Sequence, residues 1–330
     1  MLRKRTDAVP QLPLSARLAV PVMAATGGSG RTTVARLLGT GLASCGSTVV
    51  LDLAPRLSSP WPALLAGQQA GGVAVLPPDR PLTRSAVQQA CVVQRTHAVG
   101  VEAGSGAWHL LSDGQDWHAR PLDLPENPAA WYQLAAIGGW QAVVADTVHP
   151  LAHDLLAARC AGKTGRTRGW YDLPFSVPVL CAAATAQGMR SLQQAVMVLH
   201  AEGLPLRRTV VALVATGAGR PPVAVRAGAA MLTSRTAAVV QVPHDPHVHA
   251  HSLAAARLHS RTLQAGDRLA GAVLDAAHAA WGRPLPDAPH PAPITPAPRP
   301  ASALPGPAAA SFATASSGAP ALATPAVTAS

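Results

Sequence analysis

A glycine-rich segment near the start of the chain has the residue types and spacing of a phosphate-binding loop. It follows an apolar run at 18–23 and precedes a helical pattern at 34–43. Glycines let such a turn bring its backbone N–H groups close to phosphate oxygens, and the helix start that follows favours anions. The residues that we expect to contact phosphate are Gly27, Gly28, Ser29, Gly30, Arg31, Thr32 and Thr33.

Two acidic residues end apolar runs elsewhere in the chain. Asp52 closes the run at 48–52, and Asp146 closes the run at 142–146. Because ligands of parallel sheets bind beyond the carboxyl ends of the strands, we expect both acids beside the loop. Oxygen ligands suit Mg²⁺, so Thr32, Asp52 and Asp146 are the predicted metal set, and Asp52 and Arg31 are the predicted catalytic residues. The alternative is a glycine-rich turn whose neighbouring acids only cap helices.

The apolar runs alternate with helical patterns along the chain. Further runs at 177–184, 210–214 and 237–242 predict strands, and a last helical pattern covers 269–281. Short apolar strands separated by helices predict an α/β fold, with a mainly parallel twisted sheet covered by helices on both faces. Residues 57–135 contain several tryptophans and prolines, and only a strand at 107–111 is predicted there.

Composition and charge limit the class of protein. The chain has 330 residues, a net charge of +10 and four cysteines. No apolar run approaches the roughly 20 residues of a membrane span, and Arg17 interrupts the segment that a signal peptide would need, so we expect a cytoplasmic protein. The cysteines lack metal-type spacing and are expected to be reduced thiols. Residues 1–16 are predicted to be a flexible leader, 17–282 a nucleotide-binding domain, and the Pro- and Ala-rich 283–330 a disordered tail.

The motifs and their order resemble the ParA/MinD family of ATPases. Residues 26–33 resemble its deviant Walker A loop, Lys-Gly-Gly-x-Gly-Lys-Thr-Thr, and 49–55 resemble its second-strand motif. Residues 140–147 resemble its Walker B strand, and Pro243 and Asp245 match a late Ile-Pro-x-Asp segment near the nucleotide base. The resemblance spans about 18–281 and implies a P-loop NTPase fold that binds ATP and Mg²⁺.

Several positions depart from the family pattern. Thr26 stands at the signature Lys that reaches the partner's nucleotide, Arg31 at the P-loop Lys, and Ala54 at the second acid of the second-strand motif. Since Arg and Lys direct their charge differently, the first-turn exchange is not conservative. We therefore expect an ATP-binding positioning or assembly factor with weak or absent hydrolysis, reminiscent of TadZ-type localisation proteins.

The resemblance also implies partners. It implies a nucleotide-dependent homodimer and a protein partner that the sequence does not identify. Non-specific DNA contact, as in ParA proteins, or membrane contact, as in MinD, would use Arg257, Arg261 and Arg268 near the C-terminal helix. Two alternatives stay open: a nucleotide-independent adaptor or scaffold that kept the fold but lost the site, and an active ATPase in which Arg31 replaces the lysine.

Overall fold

An eight-stranded sheet organises the residues that the computed structural model describes, which are 11–64, 71–77, 80–95, 106–116, 118–252 and 258–290. The strands are β1 Leu18–Ala24, β2 Thr48–Asp52, β3 Val92–Arg95, β4 Ala107–Leu111, β5 Ala142–Pro150, β6 Val179–Ala183, β7 Val210–Val214 and β8 Ala238–Val242. Their order in the sheet is β3-β4-β2-β5-β1-β6-β7-β8, and each pair is parallel except β3 with β4.

Helices connect most of the parallel strands, as the crossover between parallel neighbours requires. They are α1 Arg31–Leu42, α2 Trp61–Leu64, α3 Arg84–Gln89, α4 Pro128–Gly138, α5 Leu151–Cys160, α6 Arg166–Tyr171, α7 Ala186–Ala201, α8 Val223–Thr233, α9 Pro246–His251 and α10 Ser260–Trp281. Short 3₁₀ turns lie at Arg56–Ser58, Gly72–Val75 and Leu206–Arg208.

Each face of the sheet buries its own apolar core. Alternate residues of a strand point to opposite faces, so Val20 and Val22 of β1 join one core while Ala19 and Met23 join the other. Buried residues of α1 and α10 complete the first core, and buried residues of α4 to α8 complete the second. The predicted α/β fold, a mainly parallel sheet with helices on both faces, is confirmed.

Some element boundaries differ from the predicted ones. Helix α1 begins at Arg31 rather than at residue 34, because Gly30 caps it with a left-handed backbone, φ 77°. Strand β5 continues past Asp146 to Pro150, and α10 begins at Ser260, nine residues before the predicted start. The unassigned middle contributes the antiparallel edge strand β3 and the helices α2, α3 and α4.

The packed part of the chain extends beyond the predicted bounds of 17 and 282. Leu12 and Leu285 are buried, and the amide of Gln141 donates to the carbonyl oxygens of Leu12 at 2.6 Å and Pro13 at 3.0 Å. The two ends of the described fold also meet, since the Ala288 N–H donates to the Ser15 carbonyl at 2.9 Å. Packed residues thus lie outside both predicted bounds, and the domain division itself stays a prediction.

The two ends meet at the amino ends of the strands. Gln141 immediately precedes β5, and the Leu12 N–H donates to the carbonyl of Cys45, just after α1, at 2.7 Å. The phosphate loop follows β1 and so lies at the opposite, carboxyl end of the sheet. The flexible leader at 1–16 and the disordered tail at 283–330 stay predictions. Residues 1–10 and 291–330, and also Arg257, lie outside the described residues.

Among the described helices, none is long and apolar enough to cross a bilayer. All four cysteines are free, with Cys45, Cys91 and Cys181 buried and Cys160 exposed. The cytoplasmic location stays a prediction.

Candidate functional site

The loop between β1 and α1 has the geometry of an anion cradle. Gly28 and Gly30 adopt positive φ values of 70° and 77°, which side chains disfavour. The buried Ser29 hydroxyl donates to the Thr26 carbonyl at 2.5 Å and closes the turn. No heavy atom lies within 4 Å of a Cβ built on Gly27 or Gly28, so ligand atoms have room beside the backbone.

The first turn of α1 provides the polar groups of this cradle. A cavity of about 290 Å³ is lined by residues from Thr26 and Gly28 to Thr33. No acidic residue lies in the first turn, so the partial positive charge of the helix start is not neutralised there. Of the seven predicted phosphate-contacting residues, all except Gly27 line this cavity.

The two strand-end acids lie side by side next to this loop. Asp52 of β2 pairs directly with Asp146 of β5 in the parallel register, and Asp146 also pairs with Val22 of β1. The structure thus brings Arg31, Thr32, Asp52 and Asp146 together, as the motif order predicts. Both carboxylates are nearly inaccessible to solvent, with exposures of 3% for Asp52 and 2% for Asp146.

Asp146 is surrounded by donors from its own chain. The Trp61 indole N–H donates to Oδ2 at 2.9 Å, and Arg31 Nε lies 3.7 Å from Oδ1. Burial raises the pKa of Asp146, while the neighbouring Thr32 hydroxyl, the Trp61 N–H and the Arg31 charge act in the opposite direction. Within the described residues, Oδ1 of Asp146 and Nε of Arg31 form no hydrogen bond.

Asp52 is also held from within the chain. Its Oδ1 accepts the Ala54 N–H at 3.0 Å, and its Oδ2 accepts the Ser59 hydroxyl at 2.6 Å. Burial raises the pKa of Asp52 to about 7; the Ser59 and Ala54 donors oppose the rise, and Asp146 and Asp113 add to it. The Asp52 carboxyl is therefore easier to protonate than an exposed one, and it does not face bulk water.

Trp61 is the residue near these acids that sequence reasoning missed. It starts the short helix α2, is completely buried, and packs edge-on against Trp108 with ring centroids 6.1 Å apart. A buried indole N–H needs an acceptor, and Asp146 provides it. The only sequence signal for this contact was the presence of several tryptophans in the middle region. That signal does not identify which tryptophan contacts which acid.

The predicted base-side residues occupy a separate place, beyond β8. Pro243 lines a cavity of about 900 Å³ that also contacts Arg261 and Arg268. Asp245 instead caps α9, where its Oδ1 accepts the His247 N–H at 3.0 Å and its Oδ2 accepts the His259 N–H at 2.8 Å. Its carboxylate oxygens are therefore engaged by the protein rather than directed at a ligand.

A contact at the end of β7 links the loop to the base-side cavity. A Cβ built on Gly30 would lie 2.8 Å from Cγ1 of Val214, the last residue of β7. The same cavity contacts the segment just after that strand, including Gly217. The loop and this cavity therefore both border the carboxyl end of β7.

The residues fit the phosphate part of Mg-ATP better than the metal part. The loop offers space and backbone donors, whereas three of the four carboxylate oxygens accept protein hydrogen bonds and the fourth faces Arg31. No group of three His, Cys, Asp or Glu side chains with the geometry of a metal site occurs in the described part of the chain. In this arrangement, the oxygens of Asp52 and Asp146 fit Mg²⁺ poorly, and the predicted metal role of Thr32 stays a prediction.

Solved structures with a similar fold are ParA and MinD proteins. A plasmid partition protein of Borrelia burgdorferi B31 bound to AMPPNP is 9% identical, with a TM-score of 0.49 over 78% of this chain and 98% of that one. A ParA family ATPase of Chlorobium tepidum TLS is 13% identical, with a TM-score of 0.47 over 79% and 99% of the two chains. The MinC:MinD complex of Aquifex aeolicus matches with 14% identity and a TM-score of 0.46 over 82% and 98%.

These likenesses concern the fold and carry nothing about ligand, activity or partner, since identities and scores are low. No protein family model matches the chain, and no curated protein matches it. The strand order alone shows the predicted α/β fold with its mainly parallel sheet, and the relation to ParA and MinD proteins stays a resemblance.

Proposed function

We propose that this chain binds the phosphates of ATP in the loop between β1 and α1 and acts as a positioning or assembly factor. The observation that carries the proposal is the loop itself, with Gly28 and Gly30 at positive φ and open space beside Gly27. In addition, no side chain caps the N-terminus of α1. Backbone N–H groups and a helix start arranged in this way form an anion site without further help.

Hydrolysis by this site would be weak or absent. A P-loop enzyme stabilises charge that develops during phosphoryl transfer, and it needs a mobile cation and an acid aimed at the attacking water. Here the Arg31 guanidinium already faces Asp146, and both oxygens of Asp52 are held by Ser59 and Ala54. Ala54 supplies no carboxylate at the second acidic position.

Calorimetry of the full chain with ATP and magnesium tests the proposal. We expect a dissociation constant in the micromolar range, and at least tenfold weaker binding for Gly28→Asp, which puts a negative charge into the open space of the cradle. Arg31→Ala should weaken binding similarly. Lys163→Ala is the matched control, because the exposed Gly-Lys-Thr at 162–164 follows a helix rather than a strand and should not contribute. No heat of binding at millimolar ATP would refute the proposal.

A nucleotide-independent scaffold is the second candidate. The Arg31–Asp146 pair favours it, because a carboxylate already facing a guanidinium and an indole N–H needs no ligand for its charge. The same titration separates the two functions. A folded chain that binds no ATP would favour the scaffold, and a wild-type Kd that is lost in Gly28→Asp would exclude it.

The partners belong to the same proposal. Nucleotide-dependent dimerisation is expected from the motif resemblance, although Thr26 replaces the Lys that contacts a partner's nucleotide. Sedimentation velocity with and without ATP would detect a dimer. Co-sedimentation with plasmid DNA and with anionic vesicles, at two salt concentrations, would distinguish a DNA surface from a membrane surface.

A further inference from the structure

We infer that Arg31 replaces the magnesium ion in this site, so that the loop binds nucleotide phosphates without a divalent cation while Trp61 keeps Asp146 closed to one. The inference rests on the proposed ATP binding and concerns how that binding is neutralised. It follows from the poor fit between the two acids and Mg²⁺ described above.

The cation is already present on the protein. Arg31 lines the loop cavity, and its Nε lies 3.7 Å from Oδ1 of Asp146. A guanidinium has five N–H donors and is charged at every physiological pH, so one side chain can face a carboxylate and still offer donors to phosphate oxygens. Its side chain is 22% exposed, which leaves part of the group accessible from the cavity.

The acid that would orient a metal-bound water is closed on its other side. The Trp61 N–H occupies Oδ2 of Asp146 at 2.9 Å, and the indole is fully buried against Trp108. A metal-bound water that approached Oδ2 would compete with this N–H, which would then be left without a partner in an apolar environment. A divalent ion near Oδ1 would in addition meet the positive charge of Arg31.

One hydroxyl connects this closure to the second acid. Ser59 Oγ donates to Oδ2 of Asp52 at 2.6 Å and accepts the backbone N–H of Trp61 at 3.1 Å. The segment 59–61 therefore covers both carboxylates through a single set of hydrogen bonds. Opening one acid to a metal ion would disturb the donor of the other, so the two acids are closed together.

Titration of the full chain with ATP in EDTA and in millimolar Mg²⁺ tests the inference. We expect dissociation constants that agree within threefold in the two buffers. Binding that is at least tenfold weaker in EDTA would overturn the inference while leaving the proposed ATP binding intact. Absence of binding in both buffers would refute the proposed function, and the inference with it.

Two variants sharpen the test from opposite sides of Asp146. Trp61→Phe removes the indole N–H and keeps an aromatic ring, whereas Arg31→Lys restores a compact cation. Each variant should bind ATP at least tenfold more tightly in Mg²⁺ than in EDTA. Trp131→Phe is the matched control, because its indole donates to the Pro125 carbonyl at 2.8 Å, away from the acids.

The control should keep the wild-type ratio of the two constants. Circular dichroism identifies a variant that fails to fold, and in that case the other variant decides. Two folded variants with the wild-type ratio would overturn the assignment of the closure to Trp61 and Arg31.

Discussion

Alanine substitutions at the three loop glycines should cost unequal amounts of stability, and the structure orders them. Gly27 does not have a positive φ, and no atom lies within 4 Å of a Cβ built on it. Gly28 has the same free space but a φ of 70°. Gly30 has a φ of 77°, and a Cβ built on it would lie 2.8 Å from Val214 Cγ1. The substitution at Gly27 therefore introduces neither effect, the one at Gly28 adds backbone strain, and the one at Gly30 adds steric overlap to that strain.

The magnitudes follow from these two effects. Gly27→Ala should change the free energy of unfolding by no more than about 0.5 kcal/mol. Gly28→Ala should lose about 1 kcal/mol, because an L-residue in the left-handed region costs about that amount. Gly30→Ala should lose about 2–4 kcal/mol, since overpacking adds about 1–3 kcal/mol to the strain.

Val214 cannot remove the overlap by rotating its side chain. Its Cβ, which does not move when the side chain rotates, would itself lie 3.1 Å from the new methyl group, and its Cγ2 would lie at the same distance. Relief would need a shift of β7 relative to α1, and β7 is held on both sides by parallel neighbours. The steric cost at Gly30 should therefore persist after relaxation.

Urea unfolding of the full chain without nucleotide, followed by circular dichroism, measures the three differences at constant slope. The result that would refute the reasoning is a Gly30→Ala protein no less stable than Gly28→Ala. Equal losses at all three positions would likewise show that the loop does not have the described backbone.

The remaining predictions concern a histidine, a thiol and a buried hydroxyl. Burial lowers the pKa of His149 to about 4 from an unfolded value of 6.5. The free energy of unfolding should therefore fall by at most about 3 kcal/mol as the pH is lowered from 6.5 to 4. The urea midpoint of His149→Gln should drop less over this range than that of the wild type, and an equal drop would contradict the reasoning. Cys160 should be the one cysteine that reacts rapidly with a disulfide reagent, because the other three are buried and burial raises the pKa of Cys91 to about 12; Cys160→Ser should abolish the fast phase. Tyr171→Phe should cost about 1 kcal/mol in urea unfolding, because it removes the 2.9 Å hydrogen bond between the Tyr171 and Thr209 hydroxyls and leaves Thr209 only its 3.4 Å bond to the Pro205 carbonyl. A neutral result would count against this bond.

The strands that carry the loop and the acids could be predicted because a parallel strand covered on both faces is a nearly continuous apolar run. The run at 48–52 coincides with β2 and the run at 210–214 with β7. The proximity of Asp52 to Asp146 could be predicted because the carboxyl ends of parallel strands lie at the same edge of a sheet. Boundaries were less accurate where a polar residue such as His149 continues a strand.

The contacts that decide the chemistry of the site could not be predicted in this way. Trp61 reaches Asp146 across 85 positions of sequence, and the direction of its N–H depends on packing against Trp108. The inward hydrogen bonds of Asp52 depend on the turn at Ser59, which no periodic pattern marks. Motif reasoning assigns an acid to a site, but the donors around it come from tertiary packing.

The backbone hydrogen bond between Ala288 and Ser15 makes circular permutation of the protein feasible. Because the ends of the described fold touch at the amino ends of the strands, a short linker could join 290 to 11 without crossing the phosphate loop. A circular permutant opened in the exposed turn at 217–219 would keep every strand pair of the sheet. Fluorophores attached near 11 and 290 would likewise report from the end of the sheet opposite the loop and leave nucleotide access unobstructed.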